Sequence, residues 1–88
     1  MIDVEFPPAA DRELAKLDAP QAKRILKFLH ERVSKLDDTR SIGEALRGSR
    51  LGELWKYRVA HFRLICKIED HRLVVLILRV GHRREIYR

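Results

Sequence analysis

Polar and apolar positions along this 88-residue chain change period partway through it. Ile2, Val4 and Phe6 alternate with Asp3 and Glu5, the period of a half-buried strand. Pro7-Pro8 stops that strand and suits a helix start, where a missing N–H costs nothing. The spacing then predicts a short helix with Ala10, Leu14 and Leu17 on its inner side. Asp18-Ala19-Pro20 has the form of an N-cap and an early helical proline. Beyond it Ala22, Ile25, Leu26, Leu29, Val33 and Leu36 recur at helical spacing, and Asp37-Asp38-Thr39-Arg40 closes the pair. A helical hairpin with one apolar side is expected.

Residues 41–52 read as irregular, punctuated by Gly43, Gly48 and Gly52. The period is two after that. Trp55, Tyr57 and Val59 alternate with Lys56 and Arg58, and Phe62, Leu64, Cys66 and Ile68 alternate with Arg63, Ile65 and Lys67. The run Leu73–Leu78 is apolar throughout, which predicts a central strand covered on both faces. Short turns at Ala60-His61 and Asp70-His71 would fold these three strands into an antiparallel meander. The expected architecture is a single α+β domain spanning 1–88, a small antiparallel sheet with the helical hairpin packed on one face.

Charge adds a direction to this layout. Residues 1–46 hold 8 Lys+Arg against 9 Asp+Glu, whereas residues 47–88 hold 11 against 4. The whole cationic excess lies in the second half, which points to a polyanionic partner. No apolar run nears the roughly 20 residues that span a bilayer, so no membrane role is expected. The single cysteine, Cys66, allows no internal disulfide, and a cytoplasmic protein is expected. The four histidines and Cys66 lack metal-ligand spacing, so neither a metal nor another cofactor is expected.

Strand alternation sharpens the charge argument. With Trp55, Tyr57, Val59, Phe62, Leu64 and Cys66 turned towards the helices, Lys56, Arg58 and Arg63 emerge together on the opposite face. Lys67 follows further along that face. Converging cations repel unless an anion neutralises them, and guanidinium groups match phosphate in bidentate fashion. They would equally keep an outward sheet face soluble and unaggregated. The end of the chain, Val80-Gly81-His82-Arg83-Arg84-Glu85-Ile86-Tyr87-Arg88, adds more cations beside an aromatic ring. That combination suits unstacked RNA bases and their phosphates. Expected RNA contacts are Arg47, His82, Arg84 and Arg88. Histidine titrates near neutral pH, so His61 and His82 invite an acid–base reading, but turn or surface structure weighs more for both. Cys66 falls in the inward register and reads as a core residue rather than a nucleophile.

Taken in order, these segments resemble the RelE/ParE superfamily of bacterial toxins. The resemblance rests on the first strand, the helical hairpin, Leu46-Arg47-Gly48, Leu54-Trp55-Lys56-Tyr57-Arg58-Val59, Phe62-Arg63-Leu64-Ile65 and the closing segment from Val80 to Arg88. Ala60-His61-Phe62-Arg63 stands where the family often has Gly-x-Tyr-Arg. Within the superfamily the chain looks most like the RelE branch, whose members cleave mRNA in the ribosomal A site and are restrained by a cognate antitoxin. The resemblance implies Lys56 as general base for the ribose 2′-hydroxyl and Arg58 as a phosphate-steadying cation. It implies Arg63 as the transition-state stabiliser, Arg83 at the leaving group and Tyr87 stacked on a base. It also implies a metal-free reaction giving a 2′,3′-cyclic phosphate. ParE-type members, which inhibit DNA gyrase by binding, would not need the set Lys56, Arg58, Arg63 and Arg83.

Overall fold

The structure is a computed structural model that describes residues 2–46 and 54–82. Arg47, Arg83, Arg84, Tyr87 and Arg88 lie outside the described residues. A five-stranded sheet runs in the order β1-β5-β4-β3-β2. β1 is Asp3–Glu5, followed by helices α1 (Pro8–Ala15) and α2 (Ala19–Glu31). β2 is Glu44–Ala45, β3 Leu54–Val59, β4 Phe62–Glu69 and β5 Val74–His82.

The α+β layout agrees with the sequence pattern, including the meander of β3, β4 and β5. The sheet is mixed rather than wholly antiparallel, because β1 runs parallel to β5. A parallel pair needs a long crossover, and here everything from α1 to β4 lies between the two strands. Inside the irregular stretch, Glu44 and Ala45 form a short edge strand opposite Lys56 and Trp55. The two reversals also differ from each other. Ala60 adopts φ 54° in the tight turn at 60–61, whereas Asp70–Arg72 make one 3₁₀ turn ending on Leu73 at φ 53°. Leu73 is therefore outside the strand and 55% exposed.

α1 starts on Pro8 at its first position, and α2 has Asp18 at its N-cap, though the Asp18 side chain makes no capping bond. α2 ends at Glu31, and a 3₁₀ turn carries Val33 inward. Ala10, Leu14, Ile25, Leu29 and Val33 pack against Tyr57, Val59, Leu64, Cys66, Val75 and Ile77. Each fully buried aliphatic side chain here contributes about 1.5–3 kcal/mol relative to exposure. Leu26, expected on the inner face, is 41% exposed. A helix covers its core-facing stripe with i, i+4 positions, and Ile25 and Leu29 already fill it.

β5 extends through Val80, Gly81 and His82, which had read as a tail beyond the strand. Its register against β4 slips once: Ile65 faces Arg79 while Cys66 faces Ile77, leaving Leu78 as the extra residue of a bulge. Glu13 of α1 closes the adjacent edge, accepting hydrogen bonds from the Val80 N–H (3.1 Å) and from the Arg79 guanidinium. At the other end, Arg40 donates to both carboxylate oxygens of Asp70, at 2.7 and 3.2 Å. That contact holds the Asp70 carboxyl below the usual carboxylate range.

Burial pushes both the Tyr57 hydroxyl and the Cys66 thiol well above their ordinary values. The folded chain thus keeps two protons that the unfolded chain releases near pH 8.5–10. Stability from this source is complete below those ordinary values and is lost as the pH rises through them. The melting temperature is expected to fall progressively above about pH 9. Cys66→Ala should delay the onset; an unchanged alkaline profile in that variant would assign the loss to other groups.

Candidate anion and RNA site

The inward and outward registers of β3 and β4 fall as the alternation predicts. Trp55, Tyr57, Val59, Phe62, Leu64 and Cys66 lie in or against the core. Lys56, Arg58 and Arg63 share the opposite face, with Arg58 directly paired across the strands with Arg63. Like charges directly opposite each other destabilise a sheet.

Arg63 is the unusual member. It is only 6% exposed, yet its one hydrogen bond among the described residues goes from Nη1 to the Phe62 carbonyl at 3.3 Å. No carboxylate among the described residues pairs with it. A guanidinium removed from water costs free energy unless a counter-charge meets it. On its other side, β5 places Gly81 opposite Arg63, so no side chain fills that position.

A cavity of about 230 Å³ opens here, lined by Gly43, Glu44, Lys56, Tyr57, Arg58 and Arg63. Three of the six lining residues are cations. The volume and charge suit a phosphate held by converging Arg and Lys groups. Preorganised donors of this kind stabilise negative charge that develops during a reaction.

Two lining residues were not legible as site residues. Glu44 comes from β2 and places Oε1 3.5 Å from the Lys56 ammonium, offsetting part of the positive charge. Gly43 (φ 80°) lies so close to β3 that a Cβ would meet the Lys56 carbonyl oxygen at 2.4 Å. Only glycine suits both the backbone angle and the approach. Two further bonds hold this strap to β3. Trp55 Nε1 donates to the Ile42 carbonyl at 2.9 Å, and the buried Tyr57 hydroxyl donates to the Thr39 carbonyl at 2.6 Å. Each contributes about 1 kcal/mol net. Tyr57 is thus a clamp, and Cys66, fully buried, is a core residue.

Other expected site residues sit elsewhere. Lys67 lines a separate cavity with Arg40, Leu54, Trp55 and Asp70, away from the Arg63 cluster. His82 pairs with Phe62 across the strands and so belongs to the inward register, not to the face of Arg63. Its ring meets Phe62 edge-on at 6.0 Å and stacks with His61 at 6.2 Å. Arg83 and Tyr87, expected at the leaving group and the base, and Arg47, Arg84 and Arg88 are outside the described residues.

The similarities to known proteins fit this geometry. Residues 4–87 match the family described as the ParE toxin of the type II toxin–antitoxin system parDE. The chain is 33% identical over 85 residues to Toxin RelG of Mycobacterium tuberculosis, covering 97% of this chain and 94% of that protein. It superposes on a chain of the toxin–antitoxin complex RelBE2 from Mycobacterium tuberculosis with a TM-score of 0.82 and 30% identity, covering 93% of this chain and 91% of that one. It also resembles a mutant of the E. coli toxin RelE in the free state, with a TM-score of 0.74, 26% identity and coverage of 98% and 90%. The chain belongs to the RelE/ParE superfamily of toxins from type II toxin–antitoxin systems.

Proposed function

We propose that this toxin inhibits translation as an endoribonuclease, cleaving mRNA in the ribosomal A site by a metal-independent route. The buried guanidinium of Arg63, lacking a carboxylate partner among the described residues and lining with Arg58 and Lys56 a cavity roomy enough for a phosphate group, carries the reading. A ligand that must be an anion would complete it. In this reading Lys56 acts as the neutral amine, its own proton having passed to solvent, and takes the proton from the ribose 2′-hydroxyl. The 2′-oxygen forms a bond to phosphorus as the bond to the 5′-oxygen breaks, and the departing 5′-oxygen takes a proton from water. Arg58 steadies the phosphate, and Arg63 neutralises the charge gained in the transition state. Arg83 stabilises the leaving oxygen electrostatically, because a guanidinium is a poor proton donor. Tyr87 stacks on a base, and Arg47, Arg84 and Arg88 hold the strand. The ribosome supplies substrate orientation, an effect worth several kcal/mol on its own.

A cognate antitoxin is the expected regulator, since solved relatives are toxin–antitoxin complexes. An acidic or amphipathic segment would mask the cationic half well. The cytoplasm is the place where such a toxin would meet both partners.

The family match carries the ParE description, which favours a second reading: inhibition of DNA gyrase by binding, without RNA cleavage. Induction of the toxin separates the two. Primer extension on cellular mRNA is expected to show new 5′-ends within translated codons, with supercoiling of a reporter plasmid unchanged. Arg83→Ala should remove those ends and restore growth. Lost supercoiling with intact mRNA would select the gyrase reading instead.

A further inference from the structure

We propose that the stacked imidazoles of His61 and His82 form a platform for one unpaired nucleobase of a bound RNA strand. The inference rests on the ribonuclease reading for its ligand class. His61 is exposed at the tip of the β3–β4 hairpin, and its ring lies at 24° to that of His82, with centroids 6.2 Å apart. Phe62 supports the His82 ring edge-on at 6.0 Å. Three rings from two strands and a turn thus form one cluster, with the His61 ring outermost.

Position relates this cluster to the anion cavity. Arg58 and Arg63 are the last outward-facing pair before the hairpin turn, and His61 lies in that turn two residues ahead of Arg63 in the chain. Two residues of chain span at most about 7 Å, a reach within one nucleotide step. His82 sits on the inward register and Arg63 on the outward one, so a strand held by its phosphate at Arg63 must pass over the hairpin tip. Such a path splays a base out of its stack, and an exposed ring held by a second ring receives it without reordering. The left-handed conformation of Ala60 (φ 54°) makes the turn tight enough to present His61 there.

The test uses the full chain and a short single-stranded RNA carrying 2-aminopurine beside one phosphate, with a single 2′-deoxy sugar on the 5′ side of that phosphate so that no 2′-hydroxyl can attack it. Stacking quenches 2-aminopurine fluorescence, a signal that a purely structural histidine would not change. Wild type is expected to quench it. His61→Ala should lose the quenching and weaken binding roughly tenfold. His61→Phe should restore both, whereas His61→Lys should restore affinity only in part and no quenching. Quenching that survives in His61→Ala, or a Lys variant that binds as wild type while the Phe variant does not, overturns the platform. Primer extension with wild type reports separately on whether the chain cleaves RNA at all. A wild-type chain that cleaves but shows no quenching at any labelled position also overturns the platform.

Discussion

Replacing Arg63 with methionine is expected to reduce mRNA cleavage by about 10²–10³-fold, the cost of removing one preorganised charge donor, without loss of stability. The two effects come from the same geometry. Arg63 is buried, faces Arg58 across the strands and has no carboxylate partner among the described residues. Among the described residues no carboxylate offsets its charge, and the facing cation adds repulsion, so within them the charge costs stability. Methionine keeps much of the aliphatic volume and removes that cost, so the melting temperature should hold or rise. Growth inhibition, primer extension and a thermal melt measure the two halves. A variant that stays active, or one that melts well below wild type, would place Arg63 among structural residues. Arg63→Lys should recover part of the activity, as a point charge without the planar fork.

The second large effect is expected at Gly43, which has no side chain to take part in chemistry but lines the same cavity as Lys56. Gly43→Ala forces an L residue to φ 80° and sets a methyl against the Lys56 carbonyl, the Trp55 indole nitrogen and the Tyr57 ring. The left-handed conformation costs about 1–2 kcal/mol and overpacking about 1–3 kcal/mol more. The strap from Thr39 to Ala45 should lift from β3, taking Glu44 away from Lys56 and opening the cavity on that side. A fall in denaturation midpoint with unchanged slope would be the signature, together with faster hydrogen exchange at Lys56 and Tyr57. Gly43→Ala with wild-type stability would mean that the close approach at β3 is relaxed at little cost.

These two residues differ in how the sequence reveals them. Arg63 was legible because strict alternation through β3 and β4 leaves one possible face for each side chain. The inward set from Trp55 to Cys66 and the outward trio Lys56, Arg58 and Arg63 follow from that parity alone. Gly43 was legible only as a turn. β2 has two residues, too few for any period, and its place is set by bonds from Trp55 and Tyr57 more than ten residues away. Glu44 entered the site by the same route. His82 reads as an RNA contact of the basic closing segment, but the strand continues to His82 and cross-strand pairing puts it with Phe62. An entirely apolar run from Leu73 to Leu78 carries no alternation, so the bulge at Leu78 left no mark in the pattern. Parallel pairing of β1 was equally invisible, since a three-residue strand looks the same in either direction.

That parallel pair has a consequence for when the protein becomes itself. Asp3, Val4 and Glu5 find their partners only at Val74, Val75 and Leu76, so β1 waits for β5. Loop closure over such a separation must be met before any of these contacts stabilises the chain. α1 waits too, because its Glu13 carboxylate bonds Arg79 and Val80 of that same strand. An emerging polypeptide therefore has its helices and its cationic hairpin before it has a closed sheet. The complete fold arrives only once β5 is free to dock, which ties maturity to the synthesis of that one strand rather than to the helices or the hairpin before it.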